Sequence, residues 1–232
     1  MKEHLKGIAA TAESHGTEMP GHISAGADAA KETALALLLL WMTLTLIGAQ
    51  HLWAGLIIFS VAWIVWKMGR SAWLGWSRLE RLHRVIEEEK WEIEHHRGQE
   101  REELLALYGA KGFDGPLLDE VVDVLMADED RLLRVMLEEE LGLFLHVYEH
   151  PLKQASGAGI GALIGIGIAL LGLWVWPALG LLVGAFLMIG VAGATAAIYE
   201  GNRLLPAVVW NLALAALGTG LGYFTLRLIG GL

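Results

Sequence analysis

The stretch Gly157 to Trp176, GAGIGALIGIGIALLGLWVW, carries no charge and no proline over twenty residues. A helix rising 1.5 Å per residue needs roughly 20 such residues to cross a hydrocarbon core about 30 Å thick. Gly157, Gly161 and Gly165 recur every fourth position, leaving one helix face as bare backbone on which a second helix can lie closely. Two more uncharged stretches follow, Pro177 to Tyr199 and Leu204 to Leu226, with Gly180/Gly184 and Gly218/Gly222 repeating the spacing. Upstream, Thr33 to Gln50 and Leu52 to Trp66 are shorter but uncharged, and the second can borrow length from the flanking KMGRSAWLGW. These runs predict an all-α membrane protein with five transmembrane helices, the lipid bilayer being its solvent.

The whole composition agrees: 232 residues, 55% hydrophobic, 29 glycines and 10 tryptophans. Absence of cysteine excludes disulfides, thiolate metal sites and thiol catalysis, so any metal chemistry uses oxygen, nitrogen or thioether ligands. No phosphate-binding glycine loop followed by Lys-Ser/Thr is present, which argues against ATP-driven pumping by this chain alone; neither an enzyme nor an organic cofactor is expected.

Between the second and third runs lies a polar insert, residues 67–153, holding 12 of the 17 Lys and Arg and 20 of the 26 Asp and Glu. Its membrane-proximal part is basic (Lys67, Arg70, Arg78, Arg81, Arg84), whereas the short loops AQH and LWVWP carry no Lys or Arg. By the positive-inside rule the insert is cytoplasmic. The first 32 residues lack the basic-then-apolar layout of a secretory signal, so the N-terminus is expected in the cytoplasm and the C-terminus on the opposite side. The chain thus divides into an N-terminal cytoplasmic segment 1–32, spans one and two in 33–66, the insert 67–153, and spans three to five in 154–232. An anionic insert disfavours nucleic acid as a partner.

Inside the insert the pattern predicts a charged helix running on from the second span to about Tyr108, a GAKGFDGP break, and two amphipathic helices. Pro116 suits a first helical position and Asp128 an N-cap. The stripe Leu132, Leu133, Met136 and Leu137 ends at Gly142. Within Glu87 to Glu103, EEEKWEIEHHRGQEREE, stand eight carboxylates and two imidazoles. On a continuous helix, Glu89, Glu92, His96, Glu100 and Glu103 share an arc of roughly 80°.

A solvated face with pairs such as Glu94 to Arg97 is the plain reading of such a run. Against it stands the balance over Glu87 to Glu140, 18 acidic residues to 6 basic ones, which calls for a counter-charge. Carboxylates with an imidazole or thioether suit Fe²⁺, Mn²⁺ or Zn²⁺. From Glu89 to Glu103 a straight helix spans about 21 Å, too long for one ion. Either there are several sites, or the helix breaks near Gly98 and folds its halves together. Met136 with Glu139 and Glu140 offers thioether and carboxylate on one side of the last insert helix.

The doubled Glu89-x-x-Glu92 and Glu100-x-x-Glu103, followed by LLALYGAKGFDGPLLDEVVDVLMADEDRLLRVMLEEELGL, resembles the cytoplasmic metal-binding domain of the vacuolar iron transporter family. The likeness runs from about Glu80 to the C-terminus. It implies a homodimer that exports Fe²⁺, and Mn²⁺ or related ions, from the cytosol in exchange for protons. On that resemblance Glu89, Glu92, Glu100, Glu103, Met136, Glu139 and Glu140 collect the metal, with His96 on the same stripe. The family's first span opens with Asn-Asp-Gly, where this chain has Ala27-Asp28-Ala29 and then Glu32; near the second span only Met68 is at hand, beside Lys67. Intramembrane acids mark ion paths, so Asp28 and Glu32 are candidate path residues or else members of a cytoplasmic N-terminal helix, with Met42 and Met68 as soft ligands or as core and lipid packing. His4, His15 and His22 read as a solvated tail, and His95 as off the main stripe. A membrane-anchored metal-binding or sensing protein without transport is the alternative. An oxidative iron store is disfavoured because Glu-x-x-His occurs once, at Glu92 to His95.

Overall fold

The computed structural model describes residues 19–142 and 149–230; His4 and His15 lie outside them. In chain order the helices are α1 (Gly21–Leu46), α2 (Leu52–His95), α3 (Arg97–Ala110), α4 (Gly115–Met126), α5 (Glu129–Val135), a π-helical turn (Met136–Glu140), α6 (Pro151–Val175), α7 (Gly180–Tyr199) and α8 (Leu204–Gly230). Among the described residues there is no strand. Five helices, α1, α2, α6, α7 and α8, are long and apolar enough to cross a membrane, the number the hydropathy of the sequence predicts. By contacts the chain divides into two compact units, Met1–Gly75 with Glu149–Leu232, and Trp76–Tyr148.

The first unit is built on the small-residue face of α6. A Cβ added to Gly157 would collide with the His22 carbonyl, and one on Gly161 with that of Gly26; at Gly165 it would come within 2.9 Å of the Ala30 carbonyl oxygen. α1 and α6 therefore meet backbone to backbone. The same device joins α6 to α7, where Gly172 and Gly180 face each other. Leu37, Leu38, Leu56, Ala169, Leu181, Ala185 and Ile189 fill the bundle core. α8 is buried only at Ala215. α2 leaves Trp53, Ile58, Val61, Val65 and Trp66 outward, the side chains expected to meet lipid.

α1 starts at Gly21, well before the apolar run that begins at Thr33. Its polar first half is held by distant partners: the His22 backbone N–H donates to Oε2 of Glu149 at 2.8 Å, and His22 Nδ1 lies 2.8 Å from Oε1. His22 is thus part of a helix and not of a loose tail. Lys153 adds a third contact to Glu149, at 2.9 Å. Burial alone would raise the Glu149 carboxyl, but the hydrogen bonds from Lys153 and His22 outweigh it and hold the group below its ordinary range.

In the second unit Ile93 of α2, Leu104 of α3, Val122 of α4, Leu132 of α5 and Met136 form one apolar cluster. The expected continuous helix to Tyr108 is broken at His96, whose φ of −123° and ψ of 32° are not helical. The His96 N–H still donates to the Glu92 carbonyl at 2.7 Å, while its own carbonyl accepts from the Gln99 N–H at 2.7 Å to begin α3. Gly98, the expected hinge, lies in the first turn of α3. Gly112 (φ 95°) and Gly115 (φ 56°) supply the left-handed backbone that the GAKGFDGP break requires. The Asp128 carboxylate caps α5, accepting the Arg131 N–H at 2.9 Å.

Candidate functional site

The helix break redistributes the acidic stripe. Glu89 lies one turn before Ile93, and Glu100 one turn before Leu104, so each carboxylate shares a face with a residue of the common cluster. Both are carried inward: Glu89 is 8% exposed and Glu100 2%. Glu92, His96 and Glu103, which a continuous helix would align with them, are exposed. Burial thus separates Glu89 and Glu100 from the other acids of the stripe.

The MLEEE segment forms no regular α-helical turn. The Leu141 N–H donates to the Met136 carbonyl at 3.1 Å, an i→i+5 bond that widens the turn. Met136 is buried in the cluster, while Glu139 turns elsewhere: it pairs with Lys111 and accepts from the Tyr108 hydroxyl at 3.2 Å. Burial, then the Glu139 charge, push the Tyr108 hydroxyl up from its ordinary value. The Glu140 side chain lies outside the described residues.

Two basic residues of this unit, Arg97 and Arg101, tie its helices together. Arg97 reaches Glu129 at 3.2 Å and the Met126 carbonyl at 2.6 Å. The pairing of Glu94 with Arg97 does not form, because the break at His96 removes the i,i+3 spacing. Arg101 bridges Asp119 and Asp123, both at 3.2 Å, and these hydrogen bonds raise its guanidinium further. His95 stacks on Trp91 with ring centroids 4.6 Å apart, and His96 meets the same ring edge-on at 5.1 Å. His95 Nδ1 lies 2.9 Å from the Trp91 carbonyl oxygen. Among the described residues no three His, Asp or Glu side chains converge closely enough to hold a metal ion.

On α1, Asp28 and Glu32 are exposed, and each has a lysine: Lys31 stands 2.9 Å from Asp28, and Lys67 of α2 stands 2.6 Å from Glu32. Met42 is buried against Gly222. Met68 is partly exposed, with Sδ against Gly159. Sequence reasoning missed both lysines as partners. The i,i+3 spacing of Lys31 was a usable signal; that of Lys67, 35 residues from Glu32, was not.

A five-span helical bundle joined to a small helical unit bearing buried carboxylates defines a class, the polytopic α-helical integral membrane protein with an acidic polar insert. The chain belongs to the VIT family, whose sequence pattern matches residues 68–227, well over half of its length. It is similar to a protein described as "Vacuolar iron transporter" in Acanthamoeba castellanii (strain ATCC 30010 / Neff), 33% identical over 150 residues, which are 60% of this chain and 56% of that protein. The chain thus spans little more than half the length of that curated relative.

Proposed function

We propose that this protein transports a divalent transition metal across a membrane, Fe²⁺ first and Mn²⁺ or Zn²⁺ next, out of the cytosol and in exchange for protons. The observation that carries this reading is membership of the VIT family over a match that includes both the acidic insert and the last three spans. In the proposal the homodimer collects the ion on its cytoplasmic insert. Glu89, Glu100 and Met136 act as the inner ligands, with Glu92, Glu103, His96, Glu139 and Glu140 as outer ones that attract it. Burial of Glu89 and Glu100 supports that division. For Glu139 to join, Lys111 must let it go. Asp28 and Glu32 line the path, with Met42 and Met68 as soft ligands. Reconstituted into liposomes under a pH gradient, the protein is expected to carry Fe²⁺ with a counter-flow of protons; no metal flux in either direction rejects the proposal.

A membrane-anchored metal-binding or sensing protein is the second reading, favoured by the ion pairing of both first-span acids. It predicts that the purified protein binds Fe²⁺ or Zn²⁺ while Asp28→Ala and Glu32→Ala leave cellular metal tolerance unchanged.

A further inference from the structure

Among the described residues Lys67 is the buried cation of the membrane unit: its side chain is 6% exposed, and its ammonium lies 2.6 Å from Oε2 of Glu32, whose own side chain is half exposed. Four residues earlier on α2, the Trp63 indole N–H donates to Oγ1 of Thr33 at 2.9 Å. Residues 63 and 67 of α2 thus meet 33 and 32 of α1 as two polar rungs. The neutral Trp63–Thr33 rung fixes the register of the two helices without burying a charge. A buried lysine is far more costly than a hydrogen-bonded indole, so the second rung calls for a reason beyond register. It places a cation on a carboxylate that stays open on its other side, because Lys31 is turned to Asp28.

We propose that Lys67 is a tethered counter-ion of the metal path: it holds the Glu32 carboxylate while no dication is there, and an entering dication takes the carboxylate by displacing it. This rests on the reading of Glu32 as a path residue. A monovalent ion brings the same charge as the ammonium already in place and gains nothing by exchange. A dication brings twice that charge at a similar distance, and the attraction doubles. Lys67 therefore sets both the charge selectivity of the path and the metal concentration at which it fills. The displaced ammonium has somewhere to go, since Arg70, three residues on along α2, is exposed and a lysine stem can extend toward the same polar boundary.

The test uses the full chain in proteoliposomes, with Mn²⁺ as the probe, and compares wild type with K67Q, K67R and E32Q. Removing the competitor in K67Q is expected to lower the half-saturating Mn²⁺ concentration by about three- to tenfold with little change in maximal rate, and to make uptake sensitive to Na⁺. K67R is expected to behave as wild type. In parallel, acylation of Lys67 by an amine reagent, read by mass spectrometry, should rise with Mn²⁺ in wild type and be high without Mn²⁺ in E32Q. An unchanged half-saturation in K67Q, or acylation indifferent to Mn²⁺, overturns the proposal and leaves Lys67 as a pin between α1 and α2. If wild type carries no Mn²⁺ yet Mn²⁺ exposes Lys67, the counter-ion stands and the transport reading falls. Intact flux with indifferent acylation gives the reverse.

Discussion

Glu100 and Glu103 differ by three positions and belong to the same Glu-x-x-Glu pair, yet one is buried and the other exposed. Their loss should therefore have unequal effects. Glu100→Gln keeps the shape and removes the charge, so it is expected to weaken Mn²⁺ binding about tenfold or more, while Glu103→Gln changes it less than about threefold. Thermal shift of the purified protein with and without Mn²⁺ checks this, and equal losses would show that burial does not rank the ligands. Glu149 carries a different prediction. Its folded-state value lies below the ordinary 4.5, so its contribution to stability is complete above about pH 4.5 and is lost as pH falls through the lowered value. Glu149→Gln should accordingly be less stable than wild type at pH 7, and the gap should close as pH falls through that lowered value; a gap that persists in strong acid would mean that shape alone matters there.

At the scale of the helix, close packing decides which glycines can be replaced. Gly161 faces the Gly26 carbonyl with no room for a methyl group, whereas nothing lies within 4 Å of a Cβ on Gly167. Gly161→Ala is expected to cost about 1–3 kcal/mol or more, as overpacking does, and Gly167→Ala to stay within about 0.5 kcal/mol of wild type; unfolding midpoints in detergent compare the two. That stripe was legible in the sequence, as were the five spans, the Asp128 cap and the turn glycines, because each depends on residues a few positions apart. The start of α1 was not. Hydropathy counts His22, Asp28, Lys31 and Glu32 as polar and ends the span at Thr33, but two of those groups are satisfied by Glu149 and Lys67, which no local window contains. The break at His96 was half legible: the charge load called for one, and the eye goes to Gly98, but the chain turns where Ile93 and Leu104 can enter the same cluster. The π-helical turn at MLEEE was hidden because its composition is that of an ordinary helix; along it Met136 is buried while Glu139 pairs with Lys111.

For the molecule as a whole, the exposed acidic face of α1 makes the strongest demand. Asp28 and Glu32 remain 58% and 50% exposed at the side chain even with their lysines in place, on a helix apolar enough to cross a membrane. An acidic side chain facing lipid near a helix centre costs roughly 2.5–3.5 kcal/mol, so this face must meet water or protein. A second copy of α1, related by a two-fold axis, would satisfy it, since a closed symmetric interface brings the same patch to both sides and encloses both pairs of carboxylates. The chain has no native cysteine, which makes the point open to direct measurement. A single cysteine at Ala36, one turn beyond Glu32, is expected to cross-link between copies in membranes under mild oxidation, because a disulfide forms only when Cβ atoms come within about 4.5 Å. A cysteine at Leu205, at the exposed start of α8, should not. Cross-linking at Leu205 with none along α1 would move the interface to α8 and leave the Asp28 face to water, and an ion path would then have to run through a single copy.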